Sequence, residues 1–287
     1  MMKLDDTGVL QRRPLPRLRI STCIQYGLLV LVSLLVLFPL FMSLSVALQG
    51  ATLAPRIVPD FTQLDFNIFR DIFATEPNLL QWIANSFLVA AIVTIGVLIT
   101  SSLAAYALAM PGFGGKRFFL FVCLGTLMIP FEATIIPNYL FVSSLGWRDS
   151  YQGLIVPFLA SGFGIFLLRQ YFLTIPRDLY EAAMMDGCTR SGYLWRILLP
   201  LSLPALATLA IYTFLGTYNA YYWPLLITDN TAWRTTQVGI TVFRNIEYQY
   251  FNTPMAANLI VMLPTLLLLI LGQRQLVRGL TAGAVKG

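Results

Sequence analysis

Few side chains in this chain can do chemistry on a substrate. The 287 residues include no histidine, which excludes His-based metal sites, Ser-His-Asp triads and histidine general bases. The three cysteines, Cys23, Cys123 and Cys188, lie far apart and form neither a CxxC pair nor an even-numbered disulfide framework. No Gly-rich phosphate-binding motif followed by Lys-Ser or Lys-Thr is present, so we expect nucleotide to bind elsewhere. These absences argue against most hydrolases and metalloenzymes, and we expect no catalytic residue, metal or cofactor on this chain.

One ionisable residue, Glu132, lies inside an otherwise apolar stretch, between Pro130 and Pro137. A charged group within a membrane span is costly and by default marks a pathway or a buried pair. Glu132 therefore either lines a path or pairs with an arginine or with another subunit. Prolines on both sides loosen the helix, which often accompanies segments that line cavities.

Further polar and aromatic residues near membrane depth are candidates for a substrate path. Planar rings can stack on a solute and amides can bond its polar groups inside a partly enclosed cavity. Tyrosine and tryptophan also form interfacial belts, and asparagine also joins helices, so both interpretations stay open. The candidates are Asn85, Asn138, Tyr218, Asn219, Tyr222, Trp223 and Asn258, with the belt favoured for Tyr222 and Trp223.

A charged segment, residues 174–200, separates two apolar runs and predicts two short helices joined at a glycine. Pro176 suits the start of the first helix, and Asp178 with Glu181 fits a capping box. Gly187 can adopt the positive φ that ends a helix. A helix of this length is marginal alone in water, so we expect it to dock on another protein.

The second helix of this segment and the docking face are also predicted. Thr189 or Ser191 can cap the second helix, and Pro200 marks the start of the next apolar span. Spacing of three to four residues brings small residues together on the first helix, where another backbone can approach closely. That face consists of Leu179, Ala182, Ala183 and Asp186.

The elements that must position these groups cross a bilayer. Hydrophobic residues make up 57% of the chain and charged residues 11%, with a mean hydropathy of +0.72. A soluble domain carries about 25% charged residues, so much of this surface faces lipid. A membrane-spanning helix needs roughly 20 apolar residues. Six stretches meet this need, near residues 26–48, 82–110, 118–141, 153–172, 199–227 and 254–272.

The distribution of basic residues predicts the orientation. Six spans place both termini on one side, whose segments hold fourteen Lys and Arg residues against five in the opposite loops. Because basic loops stay in the cytoplasm, we expect a cytoplasmic segment 1–21, six spans within 22–274 and a cytoplasmic tail 275–287. Topology thus explains the net charge of +6, and nucleic acid is not an expected partner.

The charged segment carries the most specific pattern. Glu-Ala-Ala begins at Glu181, Gly187 follows after three more residues, and Ile197 begins an Ile-x-Leu-Pro run after nine intervening residues. This spacing resembles the loop of binding-protein-dependent ABC importer permeases, and within them the second permease of carbohydrate-type systems such as those for maltose and glycerol-3-phosphate. Other family-like segments are 85–86, 103–109, 166–169, 218–225 and 279–287; Tyr218 and Cys188 depart from the usual residue types.

The resemblance implies an all-α polytopic protein of the type I ABC importer permease fold, with six transmembrane helices and a cytoplasmic coupling-helix loop. It implies a prokaryotic plasma (inner) membrane, a second related permease, two ATP-binding subunits that hold ATP and Mg, and an extracytoplasmic substrate-binding protein. The cargo class would be a sugar, an oligosaccharide, a polyol or a glycerol phosphate ester. The residues implied in coupling to the ATPase are Leu179, Glu181, Ala182, Ala183, Asp186 and Gly187.

An ion-gradient-driven secondary transporter is the alternative. It needs ionisable residues or broken helices near the midplane, and only Glu132 qualifies from the sequence. The structured loop at 174–200 would then have no explanation. A membrane-embedded enzyme is a weaker hypothesis still, since no nucleophile–base pair is apparent.

Overall fold

The computed structural model describes residues 3–4, 10–11, 20–49, 56, 64–110, 112, 114–244 and 251–281. The helices are α1 (Ile20–Leu48), α2 (Ile68–Thr75), α3 (Leu79–Ala109), α4 (Lys116–Met128), α5 (Phe131–Ser144), α6 (Tyr151–Ile155), α7 (Gly162–Phe172), α8 (Arg177–Met185), α9 (Arg190–Tyr193), α10 (Leu199–Leu201), α11 (Leu203–Tyr218), α12 (Tyr222–Ile227), α13 (Thr236–Gly239) and α14 (Asn252–Thr281). Short 3-10 helices cover Val156–Phe158, Thr231–Trp233 and Ile240–Arg244, and a π-helical segment covers Leu194–Leu198. Two strands, β1 (Lys3–Leu4) and β2 (Leu10–Gln11), pair antiparallel.

Three of these helices are long and apolar enough to cross a membrane unbroken, over Ile24–Leu48, Leu79–Ala109 and Asn252–Gln273. Three further apolar stretches are pairs of helices bent at a short break, by 97° between α4 and α5, by 42° before α7, and by 77° before α11. With each bent pair counted as one span, the described part of the chain has up to six, in agreement with the sequence. Most of segment 1–21 and residues 282–287 of the predicted tail lie outside the described residues.

The third span is not the continuous helix that the sequence suggested for residues 118–141. α4 ends at Met128, and α5 begins at Phe131 in a direction that differs by 97°. Pro130 has no N–H to donate and forces an extended backbone on Ile129, whose φ and ψ are −86° and 115°. Pro137 lies inside α5 without ending it.

The fifth span also differs from the single stretch predicted for residues 199–227. The chain passes through Pro200 while still helical, bends by 77° at Ser202, and continues as α11 only as far as Tyr218. Residues 219–221 then separate α11 from the short α12. Pro204 occupies the second position of α11, where a missing N–H costs no helical hydrogen bond.

The core is centred on α3, which packs against α7 and α11. Small residues let these helices approach closely, as is common in membrane bundles. A Cβ added to Gly164 of α7 would lie 2.5 Å from Ser101 Oγ of α3, and one added to Gly96 would lie 2.4 Å from Leu159 Cδ2. Because α3 makes close contacts with both α7 and α11, it is the central helix of the bundle.

A second core joins the two ends of the chain. Ala47 near the end of α1 packs with Ala256, Ala257 and Val261 of α14, all of them buried. Most of α1 from Ile24 to Phe38 is exposed on every side within this single chain. α1 is therefore anchored at one end, and its remaining apolar surface faces lipid or another subunit.

Candidate functional site

The helix pair α8–α9 has the glycine joint that the sequence predicts. Gly187 has φ +79° and ends α8: its N–H donates to Met184 O (3.1 Å), and the Cys188 N–H donates to Ala183 O (2.9 Å). These two bonds form a Schellman motif, which satisfies the last carbonyls of the helix. Thr189 caps α9 by accepting the Gly192 N–H at 3.1 Å.

The capping box predicted at the start of α8 is not formed. The N-cap position is Pro176, which offers no side-chain hydrogen bond. Glu181 instead lies with Oε1 3.8 Å from Arg177 Nε, and both side chains are about two-thirds exposed. An exposed pair of this kind contributes a few tenths of a kcal/mol. Glu181 is thus free to contact a partner at little cost to the fold.

α8 has one face on the bundle and one face open. Ala183 is buried, and Tyr180 and Met184 pack beside it against the core formed with α3 and α7. Tyr180 also meets the buried ring of Tyr193 edge to face, with centroids 5.1 Å apart. This inner face fixes α8 to the membrane-spanning helices.

The open face of α8 contains most of the residues predicted for coupling. The apolar side chains of Leu179 and Met185 are 43% and 87% exposed, and no described part of the chain covers them. Ala183 is the exception among the predicted residues, because it seats the helix from within. The residues that share the open side or its end are Leu179, Glu181, Ala182, Asp186 and Gly187.

At the other end of α3, a cleft of about 450 Å³ opens beside α12. It brings together three of the residues predicted for the substrate path, namely Asn219, Tyr222 and Trp223. Its walls are formed by Val89, Phe131, Leu154, Phe158, Gly216, Thr217, Asn219, Ala220, Tyr221, Tyr222, Trp223, Pro224 and Thr235.

The three predicted residues in the cleft have different environments. Tyr222 is 65% exposed, so its ring is available to a solute. Trp223 is buried, its indole N–H donates to Gly153 O (2.9 Å), and its ring meets Phe158 edge to face. Asn219 accepts a hydrogen bond from Gln237 Nε2 (3.2 Å) and donates to Leu215 O (2.9 Å). Tyr222 and Asn219 face the cavity, while Trp223 belongs to its wall.

Two other predicted path residues have structural partners. Tyr218 is fully buried and donates to Val261 O at 3.3 Å, which joins α11 to α14. Asn85 donates to the carbonyls of Ala232 (2.8 Å) and Arg234 (3.0 Å) and accepts the Tyr151 hydroxyl (2.9 Å). Asn85 therefore ties the start of α3 to α6 and to the segment before α13.

We expect Asn85→Ala to destabilise the protein by about 2 kcal/mol, because it leaves the Tyr151 hydroxyl and the Arg234 carbonyl without their partner, while the Ala232 carbonyl keeps the Gln81 amide as a donor (3.1 Å). Thermal unfolding in detergent measures this. Asn138→Ala is the matched control: Asn138 is half-buried, has no hydrogen-bond partner among the described residues, and should change stability by less than about 0.5 kcal/mol. An Asn85→Ala variant as stable as wild type but unable to transport would instead make Asn85 a path residue.

The remaining predicted residues lie around the cleft rather than in it. Glu132 is exposed in the first turn of α5 and has no ion pair or hydrogen bond with any residue that the structure describes. Its neighbour Phe131 lines the cleft. Asn258 lines a separate cavity of about 400 Å³, which shares Tyr221 with the cleft; its Gln237 donates to Asn219 of the cleft. Asn138 does not line the cleft.

Sequence reasoning missed Thr235, a buried residue that lines the cleft. Its hydroxyl oxygen has no hydrogen-bond partner within the described structure. The backbone beside it is held by Thr236, whose N–H donates to Ser86 Oγ (2.8 Å) and whose hydroxyl donates to Trp82 O (3.0 Å). A threonine in a polar loop carries no signal that would reveal contacts 150 residues away.

A clamp joins the loop after α5 to the loop after α12. Arg148 pairs with Asp229 and lies over the Tyr139 ring, 5.7 Å from its centroid. Asp149 adopts φ +49° and accepts the N–H groups of Asp229 (2.8 Å) and Asn230 (2.9 Å). The clamp fixes the end of α5 to the end of α12.

Residues 96–282 match the family described as the inner membrane component of binding-protein-dependent transport systems. The chain belongs to this family. Three relatives agree along most of this permease. The Bacillus subtilis arabinooligosaccharides transport system permease protein AraQ is 30% identical over 262 residues, 90% of this chain and 93% of that protein. The Thermococcus litoralis trehalose/maltose transport system permease protein MalG is 32% identical over 262 residues, 90% and 94%. The Yersinia enterocolitica sn-glycerol-3-phosphate transport system permease protein UgpE is 38% identical over 198 residues, 68% and 70%.

Two solved structures share the fold of the permease. A chain of a bacterial ABC transporter involved in the import of the acidic polysaccharide alginate matches with a TM-score of 0.79 and 24% identity, over 92% of this permease and 99% of that chain. A chain of the alginate transporter in complex with its alginate pentasaccharide-bound periplasmic protein matches with a TM-score of 0.62 and 16% identity, over 88% and 93%. This permease is accordingly a multi-pass membrane subunit of a binding-protein-dependent importer, with the fold of an ABC importer permease, and is not an enzyme.

Proposed function

We propose that this permease forms half of the translocation path of an ATP-driven importer for a sugar, an oligosaccharide, a polyol or a glycerol phosphate ester. The names of its relatives support this cargo class. A second related permease, two ATP-binding subunits that hold ATP and Mg, and an extracytoplasmic binding protein complete the importer. The complex lies in a prokaryotic inner membrane, with α8 and both termini on the cytoplasmic side.

The observation that carries the proposal is the two-faced helix α8. Its inner face packs against α9 and joins the hydrophobic core that also contains residues of α3 and α7, and its outer face presents Glu181 and Ala182 with no partner among the described residues to cover them. A helix of nine residues that is packed on one side and open on the other is suited to a cleft of an ATPase. ATP binding closes the ATPases and moves α8. The inner face of α8 transmits that movement through α9 and the shared core to α3 and α7, which opens the cleft towards the binding protein. Hydrolysis resets the arrangement.

ATP hydrolysis by the co-purified complex in lipid, with and without binding protein and sugar, tests this function. We expect Glu181→Lys to reduce the stimulation about tenfold, because a reversed charge on the open face removes a contact of roughly 1.4 kcal/mol. Glu181→Gln keeps the shape of the side chain without reversing its charge and should keep most of the stimulation. Absence of a co-purifying ATPase, or full stimulation in Glu181→Lys, would overturn the proposal and favour an ion-driven carrier.

The cleft supplies groups that a carbohydrate needs: an exposed ring at Tyr222, an amide at Asn219 and the unpartnered hydroxyl of Thr235. We expect Tyr222→Ala to lower uptake at limiting substrate about tenfold, because the stacking surface is lost. Tyr222→Phe keeps the ring and should stay within twofold of wild type. Radiolabelled sugar uptake in vesicles measures both, and unchanged uptake in Tyr222→Ala would leave Tyr222 as an interfacial belt residue.

A further inference from the structure

A third cavity, of about 400 Å³, lies at the α8 end of the bundle, far from the cleft. It is formed where the end of α3, the start of α4, the segment after α7 and the start of α8 meet. The residues that matter to its chemistry are Met110, Lys116, Thr174, Arg177, Tyr180 and Tyr193. None of the described residues that line it is acidic.

The charges around this cavity are positive and only loosely compensated. The Lys116 ammonium donates to the carbonyl oxygen of Met110, which leaves two of its three N–H groups for another acceptor. Arg177 lies 3.8 Å from Glu181, and 70% of its side chain is exposed, so that pair leaves most of the guanidinium donors free. Both cations can therefore turn towards one anion in the cavity.

Two helices begin at the same cavity, and both lack a side-chain cap. α4 starts at Lys116 after Gly115, and α8 starts at Arg177 after Pro176; neither preceding residue has a side chain that accepts an N–H of the first turn. The first N–H groups of a helix have no partner within it, and the helix dipole adds positive potential there. Two such ends beside two cations give a site for a phosphate group.

We propose that this cavity binds the headgroup of an anionic phospholipid. A lipid is favoured over a soluble phosphate because the cavity lies at the ends of three apolar helices, α3, α4 and α7. Directly beyond Lys116, the α4 side chains Phe118 and Phe121 are 66% and 71% exposed and offer an apolar surface to acyl chains. The assignment rests on the cytoplasmic placement of α8 under the proposed function. A headgroup held there touches the start of α8, so lipid composition sets how firmly the helix is seated.

Binding of phosphatidylglycerol to the assembled importer in phosphatidylcholine nanodiscs, followed by native mass spectrometry, tests the site without any ATPase measurement. Each basic residue at an anionic lipid contributes about fivefold, so Lys116→Gln with Arg177→Gln should weaken binding roughly 25-fold. Arg117→Gln with Arg196→Gln removes the same charge from exposed positions outside the cavity and should change binding less than twofold.

Equal lipid binding by the two double variants would overturn the proposal. Displacement of the lipid by soluble glycerol phosphate at equal concentration would also overturn it, since the ligand would then be a free phosphate ester. A photoreactive phosphatidylglycerol tests the site without any variant. Labelling should fall within residues 110–117 or 173–180, and labelling elsewhere would contradict the assignment. If lipid labelling falls at these residues but Glu181→Lys leaves ATP hydrolysis fully stimulated, the coupling proposal is wrong and the lipid site stands.

Discussion

Replacing Gly187 with proline is expected to abolish binding-protein-stimulated ATP hydrolysis by the importer. Gly187 has φ +79°, and proline is restricted to about −65°. Proline also lacks the N–H that donates to Met184 O, so the Schellman motif is lost and the end of α8 is redirected. Because α8 is the proposed contact with the ATPase, the variant should hydrolyse ATP at its basal rate only. The measurement is ATPase activity in lipid with saturating binding protein and sugar.

Gly187→Asn and Gly187→Ala separate backbone conformation from side-chain volume. A Cβ at this position meets no atom within 4 Å, so neither residue clashes. Asparagine tolerates positive φ and should retain most of the stimulation, whereas alanine pays about 1–2 kcal/mol for the left-handed conformation and should lose part of it. Stimulation that is equal in the proline and wild-type importers would refute the role of this joint.

Replacing Gly239 with alanine is expected to cost roughly 3 kcal/mol of stability. A Cβ there would lie 2.0 Å from Cε3 of Trp82, a fully buried ring. The ring cannot withdraw easily, because its N–H donates to Thr231 O at 2.9 Å and its backbone carbonyl accepts the Thr236 hydroxyl. Alanine would therefore push α13 away from the start of α3.

Thermal unfolding of the detergent-solubilised importer measures this loss. Gly125→Ala is the matched control, since Gly125 lies in α4 and a Cβ there meets nothing within 4 Å. Alanine is the better helix former by about 1 kcal/mol, so the control should be as stable as wild type or slightly more so. If the Gly239→Ala importer unfolds at the same temperature as the Gly125→Ala control, α13 moves aside at no cost in stability.

The sequence predicts the number of spans and the shape of the α8–α9 loop because both depend on local signals. Apolar runs of sufficient length indicate spans, and Gly187 indicates a helix end. The prolines at 130 and 137 indicated a loosened third span, but the positions and angles of the breaks within the spans were not predictable. Pro130 ends a helix and Pro137 does not, although both lie in the same apolar run. The interruption at residues 219–221 contains no proline at all.

In the candidate site, too, features set by local sequence were predicted and features set by the packing of the whole bundle were not. The open face of α8 follows from helical spacing, yet that spacing alone grouped Ala183 with the outward residues. Burial of Ala183 depends on where α3 and α7 lie, which is a property of the whole bundle. Thr235 reaches the cleft because the neighbouring Thr236 is bonded to Ser86 and Trp82 of α3, about 150 residues away in sequence.

The pairing of α1 with α14 has a consequence for the order in which the protein is made. α1 leaves the ribosome first, and Ala47 cannot meet Ala256 until the last helix has been synthesised. For most of translation α1 is a single helix in the bilayer, held by its own hydrophobicity. Contacts so distant in sequence close slowly. A nascent permease released before residue 252 would lack the anchor for its first helix, and membrane proteases should degrade such fragments faster than the full-length chain.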